Sequence, residues 1–168
     1  MIVKEKLGRL SDFAVNGREV DVLAVEWFET AKRILHKRTQ AGREIVLKFM
    51  KENPDLSRDD VLFEDEHCVI VVEILSCEVI VVRVGSLHEM ARLCYEIGNK
   101  HLPLFYENEE MLIPYDEPLF RWLVSSGFQP VKEQRKLLNQ LRTSVAAHAH
   151  GGNSSLLSRI LNLTASNE

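Results

Sequence analysis

The amino-acid sequence predicts an α+β protein with a small N-terminal antiparallel β domain, a ferredoxin-like βαββαβ domain and a flexible C-terminal tail. Three observations predict this organisation. Short β-rich runs separated by turn residues dominate residues 1–75. Residues 76–144 contain β-branched runs and helical patterns in the order β-α-β-β-α-β. Residues 145–168 include a stretch without apolar periodicity, which is typical of a mobile tail.

The N-terminal domain is predicted to consist of short strands. In the first of them, Val20, Val22 and Ala24 alternate with other residues in a β-rich run. Gly42 is available for positive φ in a turn, and Asn53-Pro54 interrupts the pattern again. Strands of this length joined by such turns indicate an antiparallel domain. The predicted strands are 20–26, 30–37, 44–49, 61–64 and 67–73.

The first helix of the second domain has signals at both ends. Ser86 can cap the helix, and Glu89 three residues later completes an S-x-x-E capping box. Gly98 is placed where a left-handed C′ residue is expected. The apolar positions between these signals recur at helical spacing; they are Leu87, Met90, Ala91, Leu93, Cys94 and Ile97.

The remaining elements complete the βαββαβ order. A strand over 102–106 and a return strand over 111–114 follow the first helix. A second helix is predicted over 116–126 and ends at Gly127. A last strand begins at 129. In this arrangement both helices cover one face of the sheet, so we expect the other face or an edge to be free for a partner.

Composition and charge exclude several partners. Lys plus Arg total 21 and Asp plus Glu total 25, giving a net charge of −4. A mildly acidic chain lacks the basic surface that phosphate binding needs, so we expect no nucleic acid partner and no anionic membrane partner. The apolar run 69–84 is interrupted by Glu73, Glu78 and Arg83 and cannot span a bilayer.

The N-terminus and the cysteines predict a cytoplasmic location. Met1-Ile2-Val3-Lys4-Glu5-Lys6 carries charges where a signal peptide has its apolar core. The three cysteines form neither an even framework nor a C-x-x-C pair, which favours reduced thiols.

Enzyme signatures are absent from the sequence. It contains no G-x-S-x-G, no phosphate-binding loop and no dinucleotide fingerprint. His67 and Cys68 are adjacent, but neighbours on a strand point to opposite faces and cannot form a nucleophile–base pair. A small hydrolase that uses His67 with nearby carboxylates is therefore the weakest hypothesis for this chain.

Three histidines are the candidate metal ligands. His101 follows the predicted helix end and precedes a strand, so it should project from the surface. His148 and His150 form an H-x-H pair beside glycines, and on an extended segment both imidazoles face the same side. One chain then offers one fixed and two mobile ligands. A two-fold dimer with His101 near its axis would double them, and such a set accepts Ni²⁺, Zn²⁺, Cu²⁺ or Co²⁺.

The segment Gly98-Asn99-Lys100-His101-Leu102-Pro103-Leu104, together with 91–97 before it, resembles the helix and G-N-[RK]-H element of the urease accessory protein E family. These proteins are nickel metallochaperones, and the resemblance extends over essentially the whole chain. It implies a peptide-binding-like domain at 1–75 and a metal-binding, dimerising domain at 76–144. It also implies a homodimer that holds Ni²⁺ between two copies of His101, with His148 and His150 as further ligands.

The same resemblance implies partners and a task. The dimer would deliver Ni²⁺ to the complex that matures the urease apoprotein, through contact with a GTP-hydrolysing accessory protein, and would not itself be an enzyme. Some family members carry extra histidines where this chain has Tyr115-Asp116-Glu117, or long histidine-rich tails. Their absence favours about one ion per dimer. The alternative is an interaction module whose β domain or sheet face docks a partner and whose histidines are incidental.

Overall fold

The computed structural model describes residues 1–50 and 53–141 and shows a β-rich fold with two helices, which confirms the predicted α+β class. The predicted tail, 145–168, lies outside the described residues. No helix in the described part of the chain is long and apolar enough to cross a bilayer.

The N-terminal strands are β1 (Ile2–Val3), β2 (Gly8–Arg9), β3 (Glu19–Val25), β4 (Ile34–Arg38), β5 (Glu44–Lys48), β6 (Asp60–Glu64) and β7 (Cys68–Ile74). The later elements are β8 (Ser76–Arg83), α1 (Leu87–Asn99), β9 (Leu104–Glu107), β10 (Glu110–Pro114), α2 (Glu117–Ser125), β11 (Pro130–Lys136) and β12 (Gln140–Leu141).

The N-terminal strands form two mixed sheets, ordered β1-β5-β4 and β2-β6-β7-β3. The purely antiparallel domain expected from the sequence is wrong, because β1 pairs with β5 and β3 pairs with β7 in parallel. The long connection from β3 to β7 contains three strands, which lets the chain return in the same direction. The strand expected over 30–37 starts only at Ile34, since Trp27–Glu29 forms a 3-10 turn.

Asp21 on β3 connects the sheet β2-β6-β7-β3 to the turn between β4 and β5 of the other N-terminal sheet. Its carboxylate is buried and accepts hydrogen bonds from the N–H groups of Val22 and Ala41 and from the Arg43 guanidinium at 2.6 Å. Burial alone would raise the pKa of Asp21. The hydrogen bonds, including one with Thr39, outweigh that effect and lower the pKa below its usual value.

Replacing Asp21 by asparagine is expected to lower the free energy of unfolding by about 2 kcal/mol at pH 7, because a charge-assisted pair with Arg43 is lost. A lowered carboxyl pKa stabilises the fold above the unfolded-state pKa, and this contribution disappears as the pH falls through the folded-state pKa. The difference between the two proteins should therefore shrink below about pH 4. Urea denaturation at pH 7 and below about pH 4 measures the difference in the free energy of unfolding between the two proteins. The variant Glu5→Gln, at an exposed position, is the control. A pH-independent difference would contradict the charge-based explanation.

The C-terminal sheet has the strand order β11-β8-β10-β9-β12, with every neighbouring pair antiparallel. The chain passes through β8, α1, β9, β10, α2 and β11 in the predicted order of strands and helices, and β12 adds a fifth strand beside β9. Both helices pack on one face of this sheet. The core on that face contains Ile80 and Val82 from β8, Leu93 and Ile97 from α1, and Leu123 from α2.

The opposite face of this sheet is largely covered by the N-terminal half of the chain. Trp27 packs against the apolar cluster on this face of the sheet. Its ring meets the Phe105 ring edge-to-face, with 5.7 Å between the ring centroids. The Lys136 ammonium lies 2.7 Å from the Glu73 carboxylate, which ties β11 to β7. Of the two partner sites expected from the sequence, the opposite face is therefore an internal contact, while β11 and β12 are the outer strands of the sheet in the described residues.

Candidate metal centre

The first turn of α1 fixes where the helix begins. The Ser86 hydroxyl accepts a hydrogen bond from the Glu89 N–H at 3.1 Å, as the capping box predicts. The Glu89 carboxylate accepts from the Gly85 N–H at 2.8 Å instead of from the Ser86 N–H. The second bond of the capping box therefore comes from Gly85, one residue before the expected donor Ser86. The Glu89 carboxylate still satisfies a backbone N–H group ahead of the first helical turn.

The last turn of α1 places His101 in a left-handed backbone conformation. The His101 N–H donates to the Gly98 carbonyl at 3.0 Å, and the Leu102 N–H donates to the Ile97 carbonyl at 3.3 Å. These two bonds form a Schellman motif in which His101, with φ of 54°, is the C′ residue. The prediction that Gly98 occupies C′ is wrong, because the helix continues to Asn99. A residue with a Cβ costs about 1 kcal/mol in this conformation.

The His101 side chain is exposed and has no local partner. Nothing in residues 1–50 or 53–141 forms a hydrogen bond or an ion pair with its imidazole. The neighbouring Lys100 ammonium lies over the Trp122 ring of α2, 4.5 Å from its centroid. The adjacent cation is thus engaged by α2, and the imidazole remains available to an external ligand.

A single chain does not assemble a closed metal site within its described residues. They contain no group of three or more His, Cys, Asp or Glu side chains that could hold an ion. His36 and His88 are exposed on separate elements, far from each other in the chain. The tail ligands predicted from the sequence, His148 and His150, lie outside the described residues. His101 is therefore the predicted ligand whose position the structure defines.

The alternative chemistry at His67 has no supporting geometry. The Asp65 carboxylate accepts the backbone N–H groups of His67 and Cys68, both at 2.8 Å, and so organises a turn instead of orienting a base. Burial raises the pKa of the Cys68 thiol, which disfavours the thiolate. These contacts are those of a structural turn.

An apolar surface that sequence reasoning missed lies along α1 next to His101. Leu87 and Tyr95 are 86% and 69% exposed, and Ala91 between them is also exposed. Leu102, directly after His101, and Tyr106 on β9 are further exposed apolar side chains in this half of the chain. The spacing of four residues in Leu87, Ala91 and Tyr95 was the available signal. We call Leu87, Ala91, Tyr95, Leu102 and Tyr106 the α1 surface.

Comparison with known proteins matches both halves of the chain to one family. Residues 3–75 match the description "UreE urease accessory protein, N-terminal domain", and residues 77–155 match "UreE urease accessory protein, C-terminal domain". The urease accessory protein UreE of Flavobacterium johnsoniae is 45% identical over 163 residues, covering 97% of this chain and 99% of that protein. The UreE proteins of Actinobacillus pleuropneumoniae and Helicobacter pylori are 42% and 36% identical, covering 86% and 87% of this chain and 80% and 88% of their own lengths.

Both halves of the chain thus match a class of accessory proteins that serve an enzyme without being one. At this identity and coverage the chain belongs to the UreE urease accessory protein family. The family resemblance predicted from the G-N-K-H segment is confirmed, as is the prediction that the chain is not an enzyme.

Proposed function

We propose that this protein is a cytoplasmic nickel metallochaperone that carries Ni²⁺ to the urease maturation complex as a homodimer. The exposure of His101 supports this most directly, because its imidazole has no partner among the described residues. The residue itself is held in a left-handed backbone conformation just after the end of α1. Backbone strain of this kind is concentrated at functional sites in proteins. The Schellman motif alone does not require a histidine, since glycine satisfies it without strain.

The position of His101 suits a site shared between two subunits. Its Cα is fixed by two backbone hydrogen bonds, so the imidazole starts from a rigid base. One such ligand is too few for a stable site, but two-fold symmetry supplies a second from the same position. Imidazole nitrogen is a good ligand for Ni²⁺, and the same pair accepts Zn²⁺, so the metal bound in cells depends on supply as well as on affinity.

The α1 surface supports the proposed dimer. Large exposed apolar side chains next to one another mark sites of association in soluble proteins. Leu102 of this surface directly follows His101 in the chain, and Leu87, Ala91 and Tyr95 lie on the helix that ends just before His101. A second copy that buries the α1 surface against itself would bring the two His101 side chains to the axis.

Release of the ion requires ligands that can leave. His148 and His150 in the C-terminal segment would complete the coordination when Ni²⁺ is carried and withdraw when it is transferred. The receivers proposed for this chain are the GTP-hydrolysing accessory protein and the urease apoprotein complex. The names of the relatives, all urease accessory proteins, support a role beside urease.

Nickel titration of the full chain by calorimetry, combined with light scattering, tests the proposal. We expect a dimer that binds about one Ni²⁺ per two chains. The double variant His148→Ala/His150→Ala should weaken binding while the dimer and the remaining His101 pair persist. Binding of one ion per isolated chain would contradict the shared site. No binding at all would favour the interaction module with incidental histidines.

A further inference from the structure

Two cations at the α1 end of the chain are held by aromatic rings on α2 or just after it. The Lys100 ammonium lies over the Trp122 ring, 4.5 Å from the ring centroid. The Arg92 guanidinium lies over the Phe128 ring at 4.8 Å and also donates a hydrogen bond to the Ser126 carbonyl. Within the residues that the structure describes, no carboxylate forms an ion pair with Lys100. The Trp122 ring is therefore the group that restrains this ammonium.

The contact with Trp122 bears on the candidate metal site because Lys100 directly precedes His101. The two Cα atoms are about 3.8 Å apart, as across any trans peptide. A lysine side chain is a flexible four-carbon stem, so an unrestrained ammonium is long enough to reach the space around the neighbouring imidazole. In the described part of the chain the Lys100 ammonium donates no hydrogen bond to His101 and lies instead at the indole of α2, which packs against the core.

A mobile ammonium beside the His101 imidazole would oppose the binding of a divalent cation. The Coulomb repulsion doubles for an ion of charge two and grows as the distance shrinks. At a site shared by two subunits, both copies of Lys100 contribute to it. Tryptophan attracts a cation more strongly than the other aromatic side chains do. Its ring also brings no carboxylate oxygen, which would itself compete with the imidazoles as a metal ligand.

We propose that Trp122 is a positioning residue for the candidate metal site and acts through Lys100. Its ring holds the ammonium against α2, so that an ion bound by two copies of His101 does not meet two mobile positive charges. Arg92 and Phe128 make the same kind of contact nine residues earlier in the chain, roughly 13 Å along the helix. This inference rests on the proposed function, because it takes His101 as a ligand of a divalent cation.

A double-mutant cycle tests the inference by calorimetric Ni²⁺ titration of the full chain, at about 0.01 M and about 1 M NaCl. We expect Trp122→Leu to weaken Ni²⁺ binding about three- to tenfold at low salt, because the released ammonium approaches the ion. At high salt this difference should vanish, since charges are then screened within about 3 Å. Lys100→Gln should bind Ni²⁺ at least as tightly as the unchanged protein. In the Lys100→Gln background, Trp122→Leu should have no effect, because no charge remains to be released.

The controls separate charge from packing. Arg92→Gln removes a positive charge from the same helix, farther from His101, and should change Ni²⁺ affinity less than about twofold. Trp122→Phe keeps an aromatic ring and should retain most of the affinity that Trp122→Leu loses. The cycle is repeated with Trp122→Met, which fills more of the indole volume, and circular dichroism confirms that each variant is folded.

The inference is overturned if Trp122→Leu and Trp122→Met weaken Ni²⁺ binding equally with and without Lys100, because lost packing would then explain the effect. It is also overturned if their effect is the same at both salt concentrations, or if neither changes the affinity at low salt. In these cases the unchanged protein still binds Ni²⁺, so the proposed function survives. An unchanged protein that binds no Ni²⁺ contradicts the proposed function and this inference together.

Discussion

Replacing His101 by glycine is expected to abolish tight nickel binding while making the fold more stable. The variant removes both imidazoles from the proposed dimer site, which should weaken Ni²⁺ binding by more than the roughly 10–100-fold that loss of an outer-shell partner of a ligand costs. Glycine has no Cβ and adopts φ of about 54° without strain. The free energy of unfolding should therefore rise by about 0.5–1 kcal/mol. Calorimetric nickel titration and urea denaturation measure the two effects separately.

His101→Ala separates the ligand from the backbone. Alanine removes the imidazole but keeps the left-handed strain, so nickel binding should be lost without the gain in stability. His67→Ala removes another exposed histidine, in the N-terminal half, and should change neither property. A glycine variant that is stabilised and still binds Ni²⁺ as the unchanged protein does would limit His101 to ending the helix, and would remove it from the metal site.

The corner at His101 shows which parts of the site sequence patterns could predict. The helix, its Ser86 cap and the exposed position of His101 were predictable, because capping and apolar periodicity are local signals. The sequence pattern favours Gly98 for the left-handed conformation, because glycine adopts that conformation most easily. The chain instead places it three residues later, where the Leu102 N–H reaches the Ile97 carbonyl. An apolar pair five residues apart, Ile97 and Leu102, was the available signal.

The N-terminal sheets show what local patterns cannot predict. The alternation in β3 correctly indicates a half-buried strand, but it holds no information about its partner. The parallel pairing of β3 with β7 joins residues about fifty positions apart and depends on the whole domain. Trp27 is a similar case, because its contact with Phe105 joins two halves of the chain that were predicted separately. The covered sheet face could not be foreseen for this reason.

Replacing Tyr95 by glutamate is expected to separate the proposed dimer and to weaken nickel binding although His101 is unchanged. Tyr95 is 69% exposed on the α1 surface and touches no core cluster, so the folded subunit should tolerate the change. A two-fold interface contains each residue twice, and buried tyrosines often contribute about 2 kcal/mol each. The dimer should therefore lose about 4 kcal/mol, and light scattering at micromolar concentration should show monomers.

Val124→Glu is the matched control, since Val124 is also an exposed apolar residue on a helix but lies on α2. This variant should remain dimeric and bind nickel normally. If Tyr95→Glu gives monomers that still bind Ni²⁺ as tightly, the site does not depend on two subunits. If it stays dimeric, the α1 surface is not the interface. Loss of the dimer together with loss of nickel affinity would link the α1 surface to the metal site, because Tyr95→Glu leaves the His101 side chain itself unchanged.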